Sequence, residues 1–241
     1  MRLQQFLALA SLGSRRKCEL LIQEKKVRVN GKLAFLGQKV NPDTDRIEVN
    51  GAFVKPDAEQ CWILYKPRGY LSTVSDPHGR KTILDLVNIK NRVYPVGRLD
   101  KDSEGLIFLT NNGDLAYRMT HPKFGIDKVY EVIVKGSVSR ETLKRIEKGI
   151  LLEDGITAPC KIRILKKAPD KAILEIKLQE GKKREIRRMM ESFGLGILSL
   201  KRTRIGPLTV FGLEPGKLRS LTKEEIQALK KYAARKSRKS N

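Results

Sequence analysis

The chain is poor in the side chains that hold metals and disulfides. Its 241 residues contain two histidines, His78 and His121, and three cysteines, Cys18, Cys61 and Cys160, all far apart. An odd set of scattered thiols provides neither a disulfide framework nor Cys-x-x-Cys spacing, so reduced, buried cysteines in a cytoplasm are expected. Two isolated imidazoles give no zinc-ligand pattern, and no metal is expected. No apolar run reaches the ~18 residues of a membrane span. Neither end carries a signal-peptide or lipidation pattern, so no membrane partner is expected. The Walker glycine-lysine loop and the dinucleotide glycine fingerprint are missing too, and no cofactor is expected.

Acidic residues are the other scarcity. Against 27 Asp and Glu stand 50 Lys and Arg, a formal net charge of +23. Such an excess is the electrostatic footprint of a protein whose partner is a polyanion. With membrane signals missing, nucleic acid is the better partner. A hydrophobic content of 40% allows a substantial core, and the length suits two modest domains.

The first fifty residues read as a separate unit. Phe6, Leu7 and Ala10 recur at helical spacing up to Gly13, and Ser14 is placed to cap a second helix bearing Cys18, Leu21 and Ile22. Val27–Val29 and Ile47–Val49 alternate as strands, each followed by an Asn-Gly turn signal at Asn30-Gly31 and Asn50-Gly51. Arg15, Arg16, Lys17, Lys25, Lys26 and Arg28 cluster here, a surface able to grip phosphates.

Residues 51–60 look like a connector, after which strands dominate: 62–65, 106–109, 129–134, 162–164, 173–178 and 197–200. Helices are expected near 114–120, 139–148, 184–193 and 222–234, the last opened by the capping box Thr222-Lys223-Glu224-Glu225. Because strands outnumber helices without strict alternation, an α+β fold with a mixed, mainly antiparallel sheet is expected. The domains are then 1–58, including a linker, and 59–235. Residues 236–241 form a basic tail expected to be disordered.

The chemistry is sought at Gly97-Arg98-Leu99-Asp100, where the apolar run Val93–Val96 breaks on a glycine. A strand end there offers a carboxylate, which serves as nucleophile or base, beside a guanidinium that favours its ionised form. Tyr65-Lys66-Pro67-Arg68-Gly69 shapes a basic loop, with Lys66 and Arg68 as candidate RNA contacts. Lys128-Val129-Tyr130 is an alternating strand. Gly181-Lys182-Lys183-Arg184-Glu185-Ile186-Arg187-Arg188 opens a helix with five cations against one acid. Cations at a helix N-terminus oppose its dipole, so a compensating anion is expected. Lys182, Lys183, Arg184 and Arg188 are candidate RNA contacts.

Two resemblances follow. The order helix, helix, short strands, with Val27-Arg28-Val29-Asn30-Gly31, resembles the alpha-L RNA-binding module of a small-subunit ribosomal protein. Tyr65–Gly69, Ser75-Asp76-Pro77, Gly97–Asp100, Ser103-Glu104-Gly105-Leu106, Leu109–Gly113, Lys128–Tyr130 and Arg184–Met189 occur in the order of bacterial ribosomal-RNA pseudouridine synthases. The chain resembles the branch of small-subunit synthase A and large-subunit synthases B, E and F. That resemblance implies a pseudouridine synthase fold and isomerisation of a uridine in ribosomal RNA, without a cofactor. It makes Asp100 the catalytic aspartate, Arg98 the arginine of the same motif, Tyr130 the active-site tyrosine and Arg187 the cation paired with Asp100. Arg184-Glu185 stands where other branches have His-Gln. A flat ring at 130 would stack on an extruded uracil and keep a hydroxyl for proton transfer. Attack at the sugar, attack at the ring and abstraction of a sugar proton all require Asp100 ionised. A monomer is expected. A non-catalytic RNA-binding assembly factor is the competing reading; a DNA-binding role lacks a recognition-helix motif.

Overall fold

Two Asn-Gly pairs organise the first sixty residues. In the computed structural model, which describes the backbone of residues 1–238 and the side chains of 1–235, Asn30 and Gly31 lie at φ 50° and 78°, and Asn50 and Gly51 at 50° and 80°. Paired positive φ values are what two-residue hairpins need. They join β1 (Val27–Val29) to β2 (Lys32–Leu33) and β3 (Ile47–Val49) to β4 (Ala52–Phe53), in the sheet order β2-β1-β3-β4. Helices α1 (Leu3–Leu9) and α2 (Arg15–Gln23) precede them, and Ser14 Oγ accepts from Lys17 N at 3.2 Å to start α2. Leu3, Phe6, Leu7, Cys18, Ile22, Val27, Val29, Val40, Ile47 and Val49 form the core. The α-plus-strand order expected from sequence is present.

The chain divides into two compact units, Met1–Gln60 with Ile89–Val93, and residues 61–88 with 94 onward. The sequence reading keeps 89–93 with the larger domain. The structure groups this segment with the first unit, where Arg92 N donates to Ser11 Oγ at 3.3 Å.

The second unit is built on β5 (Cys61–Lys66), β6 (Tyr94–Val96), β7 (Glu104–Thr110), β8 (Lys128–Lys135), β11 (Lys161–Lys167), β12 (Lys171–Leu178), β13 (Gly196–Ile205), β14 (Leu208–Thr209) and β15 (Leu218–Ser220). A separate small hairpin pairs β9 (Leu151–Leu152) with β10 (Gly155–Ile156). Among the described residues the large sheet has nine strands, ordered β11-β12-β8-β13-β7-β5-β15, with β14 on β13 and β6 on β7. Only the β13–β7 pairing in it is parallel. The sheet is therefore mixed and mainly antiparallel, as expected, and the fold is α+β. At that parallel junction Gly105 has φ 109°, and a β carbon there would sit 2.3 Å from the Arg202 carbonyl oxygen. Only glycine permits the approach.

Helices α3 (Gly113–Thr120), α4 (Arg140–Glu147), α5 (Glu185–Glu191) and α6 (Lys223–Arg238) complete this unit. Three of them begin at a side-chain cap: Asn112, Ser139 and Thr222 accept from the first turns of α3, α4 and α6, whereas α5 follows Arg184 without one. Helix α6 runs on to Arg238, so residues 236–238 continue a helix rather than joining a disordered tail. Residues 239–241 of that expected tail lie outside the described residues. The sequence reading missed β9, β10, β14 and β15, which are two or three residues long and carry no period.

Candidate active site

Strand β6 ends at Val96, and Gly97, at φ 75°, turns the chain into the loop 98–103 that carries Asp100. Each backbone carbonyl of this loop has a donor. Arg202 Nη1 reaches Arg98 O at 3.3 Å and Ser72 Oγ reaches Leu99 O at 2.8 Å. Lys66 Nζ donates to Asp100 O at 3.1 Å, Lys101 O at 3.3 Å and Ser103 O at 2.6 Å, and to Pro67 O at 3.1 Å. Arg187 Nη2 takes Asp102 O at 3.2 Å. A loop with its carbonyls so occupied holds one conformation, so the Asp100 side chain is presented from a rigid frame.

Helix α5 brings Arg187 to the same place. Its Nε lies 3.9 Å from Asp100 Oδ2, and its side chain is 12% exposed against 35% for Asp100. At 3.9 Å the pair is electrostatic rather than hydrogen-bonded, and Arg187 Nε is buried without a hydrogen-bond partner. Nη2 also approaches Ser103 Oγ at 3.3 Å. Tyr130, on the inner strand β8 between β12 and β13, is buried and opens with Asp100 onto one cleft of about 90 Å³. Leu99, Leu178, Ile186 and Leu200 make its apolar walls, with Arg98 and Arg184 at its edge. The arrangement places an ionisable carboxylate and an aromatic ring on a pocket with apolar walls and a cationic edge, with the partly buried Arg187 guanidinium beside the carboxylate.

Residues 60–192 match the family model described as RNA pseudouridylate synthase. The chain belongs to the RNA pseudouridine synthase family. Residues 1–47 match the S4 domain. The chain is 45% identical to an RNA pseudouridine synthase of Aquifex aeolicus, covering 98% of each chain. It is 44% identical to the ribosomal large subunit pseudouridine synthase B of Bacillus subtilis, covering 96% of each. Among solved structures, a crystallographic pseudouridylate synthase aligns with a TM-score of 0.69 at 28% identity, over 95% of this chain and 99% of the other. The family isomerises uridine to pseudouridine.

In this synthase three of the candidate RNA contacts are committed elsewhere. Lys66 is 0% exposed, with its ammonium on the carbonyls of the loop 98–103. Burial pushes it down to about 8, opposed by Asp100 and Asp102. It positions the site and has no face left for a phosphate. Lys182 donates to Gly155 O at 3.1 Å and Ile156 O at 2.8 Å, fastening the β9–β10 hairpin. Arg188 forks onto both oxygens of Asp154, at 2.7 and 3.0 Å. Arg68 is divided, half-exposed, between Glu104 at 3.3 Å and Ser199 Oγ at 2.7 Å. Lys183, Arg184 and Arg98 are exposed. So are Arg15, Arg16, Lys17, Lys25 and Arg28 in the first unit, with Arg28 Nη1 also on Gly31 O at 2.8 Å.

The helix-dipole conflict expected at 181–188 is resolved by geometry. Helix α5 starts at Glu185, so Lys182, Lys183 and Arg184 lie outside it, and Glu185 Oε2 accepts from Lys182 N at 3.0 Å. Glu185 itself is buried on the cleft wall, and burial, then the neighbouring Glu180 carboxyl, pushes it up from 4.5 to about 8. The folded protein thus holds a proton that the unfolded chain releases above pH 4.5. The stability from this group is full below pH 4.5 and is lost as pH rises through 8. Glu185→Gln keeps an acceptor for Lys182 N and removes the buried charge. Its melting temperature at pH 8.5–9 is expected to exceed that of the parent, by about 2–4 °C per kcal/mol relieved, with no gain near pH 5. Thermal melts across this range check it.

Arg202 and Ser72 escaped the sequence reading. Arg202 is 2% exposed, with Nε on Leu106 O at 2.8 Å. In sequence it is one more cation in a basic strand; only its place opposite Gly105, at the parallel junction, marks it.

Proposed function

We propose that this synthase converts a uridine of ribosomal RNA to pseudouridine, with Asp100 as the carboxylate that acts on the nucleotide. The observation that carries this is that Asp100 and Tyr130 line one cleft while Arg187 lies 3.9 Å from Asp100, the three coming from separated sequence segments. Arg187 sets a positive charge 3.9 Å from the carboxylate, where it offsets charge at Asp100. Tyr130 stacks on the extruded uracil, and its hydroxyl is at hand for proton transfer. Extrusion costs a few kcal/mol as an order of magnitude, offset by cationic contacts from Arg98, Lys183, Arg184 and Arg68. Arg15, Arg16, Lys17, Lys25 and Arg28 supply phosphate contacts from the S4-matched unit. The Bacillus subtilis relative named for the large subunit makes large-subunit ribosomal RNA the first substrate to test.

Unmodified large-subunit RNA carrying tritium at uracil carbon 5 is the direct substrate: isomerisation must release the label. No release, from either subunit's RNA, overturns the reading. Mapping pseudouridines in cells with and without the gene then locates the target.

The phosphate contacts make a separate prediction. Arg15→Glu with Arg16→Glu is expected to weaken RNA binding at least ten-fold at low salt. The slope of log affinity against log salt should also fall by about 2. The catalytic rate at saturating RNA should hold. Filter binding over a salt series checks this, and an unchanged slope removes these residues from the interface.

A further inference from the structure

Helix α3 has two unlike faces. Leu115 and Met119 are buried in the core of the second unit. Asp114, Tyr117, Arg118 and His121 fall three and four positions apart on the opposite side, where they are exposed or half-exposed. The chain then turns through Pro122–Phe124, so that Lys123 and Phe124 close a hollow of about 400 Å³ with Asp114, Tyr117 and Arg118. Its floor is rigid, because Phe124 is buried and meets the Tyr117 ring edge-on at 5.6 Å. His121 lies 4.9 Å from Tyr117, and its Nδ1 accepts from Lys123 N at 3.2 Å. Tyr117 is nevertheless 47% exposed.

The cations are placed unusually. Lys123 Nζ stands 5.2 Å from the Tyr117 centroid and 4.9 Å from that of Phe124, and the Arg118 guanidinium 5.9 Å from Phe124. Among the described residues neither cation makes an ion pair. Two unneutralised cations flanking a half-open ring are the elements with which proteins hold unpaired nucleotides: a face for the base and charge for its phosphate. Asp114 adds an acceptor for a ribose hydroxyl or a base amino group. The end of α3 itself adjoins the turn into the loop that carries Asp100: a β carbon on Gly97 would lie 3.8 Å from Thr120 Cγ2.

We propose that this hollow is a second nucleotide site, in which Tyr117 stacks an unpaired base of the same RNA strand while Lys123 and Arg118 hold its phosphate. It rests on the RNA reading above and extends it beyond the cleft.

The test uses the full chain and unmodified large-subunit ribosomal RNA. Tyr117→Ala is expected to weaken binding roughly 5- to 100-fold, the range of one stacked base, whereas Tyr117→Trp keeps it. Lys123→Ala should lower the salt slope by about 1. Tritium release at saturating RNA and the melting temperature should stay at parental values in all three. The proposal is overturned if Tyr117→Ala binds within two-fold of the parent. It is equally overturned if Tyr117→Trp loses as much as Tyr117→Ala, or if the loss comes with a lowered melting temperature. Uridine monophosphate is the second probe. Saturation of the hollow by the free nucleotide, with RNA affinity unmoved by Tyr117→Ala, would replace the strand by a small ligand and sink the proposal. Parental protein that releases no tritium yet loses RNA affinity on Tyr117→Ala would instead refute the catalytic reading and spare this site.

Discussion

Asp100→Asn is expected to abolish turnover, with tritium release falling by roughly three orders of magnitude or more, while RNA affinity stays within a few-fold. Asparagine has nearly the same shape, so the loop 98–103 keeps its frame: the carbonyl bonds from Lys66, Ser72, Arg187 and Arg202 involve backbone atoms and not the carboxylate. What is lost is the negative charge, and with it both nucleophilicity and basicity. The electrostatic partner is lost too, because Arg187 Nε, at 3.9 Å from Oδ2, faces a neutral amide. Single-turnover release and filter binding on the same preparation separate the two quantities. A large loss of affinity at unchanged single-turnover rate would make Asp100 a structural or docking residue.

Lys66→Met is expected to lower the catalytic rate by about 10²–10³-fold with RNA affinity within two-fold and an unchanged salt slope. The ammonium holds the Pro67, Asp100, Lys101 and Ser103 carbonyls together; methionine fills the volume but strips all four of this donor, leaving Asp100 O and Lys101 O only the backbone donors Ser103 N and Gly69 N. Each unpaired buried acceptor costs about 1–3 kcal/mol. Relief of a buried charge offsets part of this, and a net loss of about 2 kcal/mol, roughly 4–8 °C in melting temperature, is expected. The loop loosens and Asp100 drifts from Arg187. Because Lys66 sits at about 8, the parent's rate should also decline above pH 8 as the clamp loses its charge, and Lys66→Met should lack that decline. A reduced salt slope in Lys66→Met would restore this residue to the phosphate contacts.

Local chemistry made much of the fold legible. Asn30-Gly31 and Asn50-Gly51 announce hairpins because few residues tolerate paired positive φ. Ser14, Ser139 and Thr222 announce helices because their hydroxyls satisfy first-turn amides. The long strands β8 and β12 carry enough branched apolar residues to be read without context. Gly97–Asp100 was visible as a strand-end turn bearing a carboxylate.

The basic residues were where local chemistry ran out. Lys66, Lys182 and Arg188 look no different in the chain from Lys183 and Arg184, yet the first three are tied to carbonyls or to Asp154 and the last two face solvent. The distinction is non-local. A cation leaves water only where several acceptors converge to replace its hydration, and three of the four acceptors of Lys66 come from a loop more than thirty residues away.

The order of amino acids alone determined the turns, caps, strand periods, cationic balance and carboxylate-bearing loop, since each depends on a residue and its near neighbours. Tertiary structure decided which cations frame the loop of Asp100 and which are left facing solvent. It also brought Arg187 and Tyr130 to Asp100, because those outcomes depend on desolvation and on contacts between segments that the chain keeps far apart.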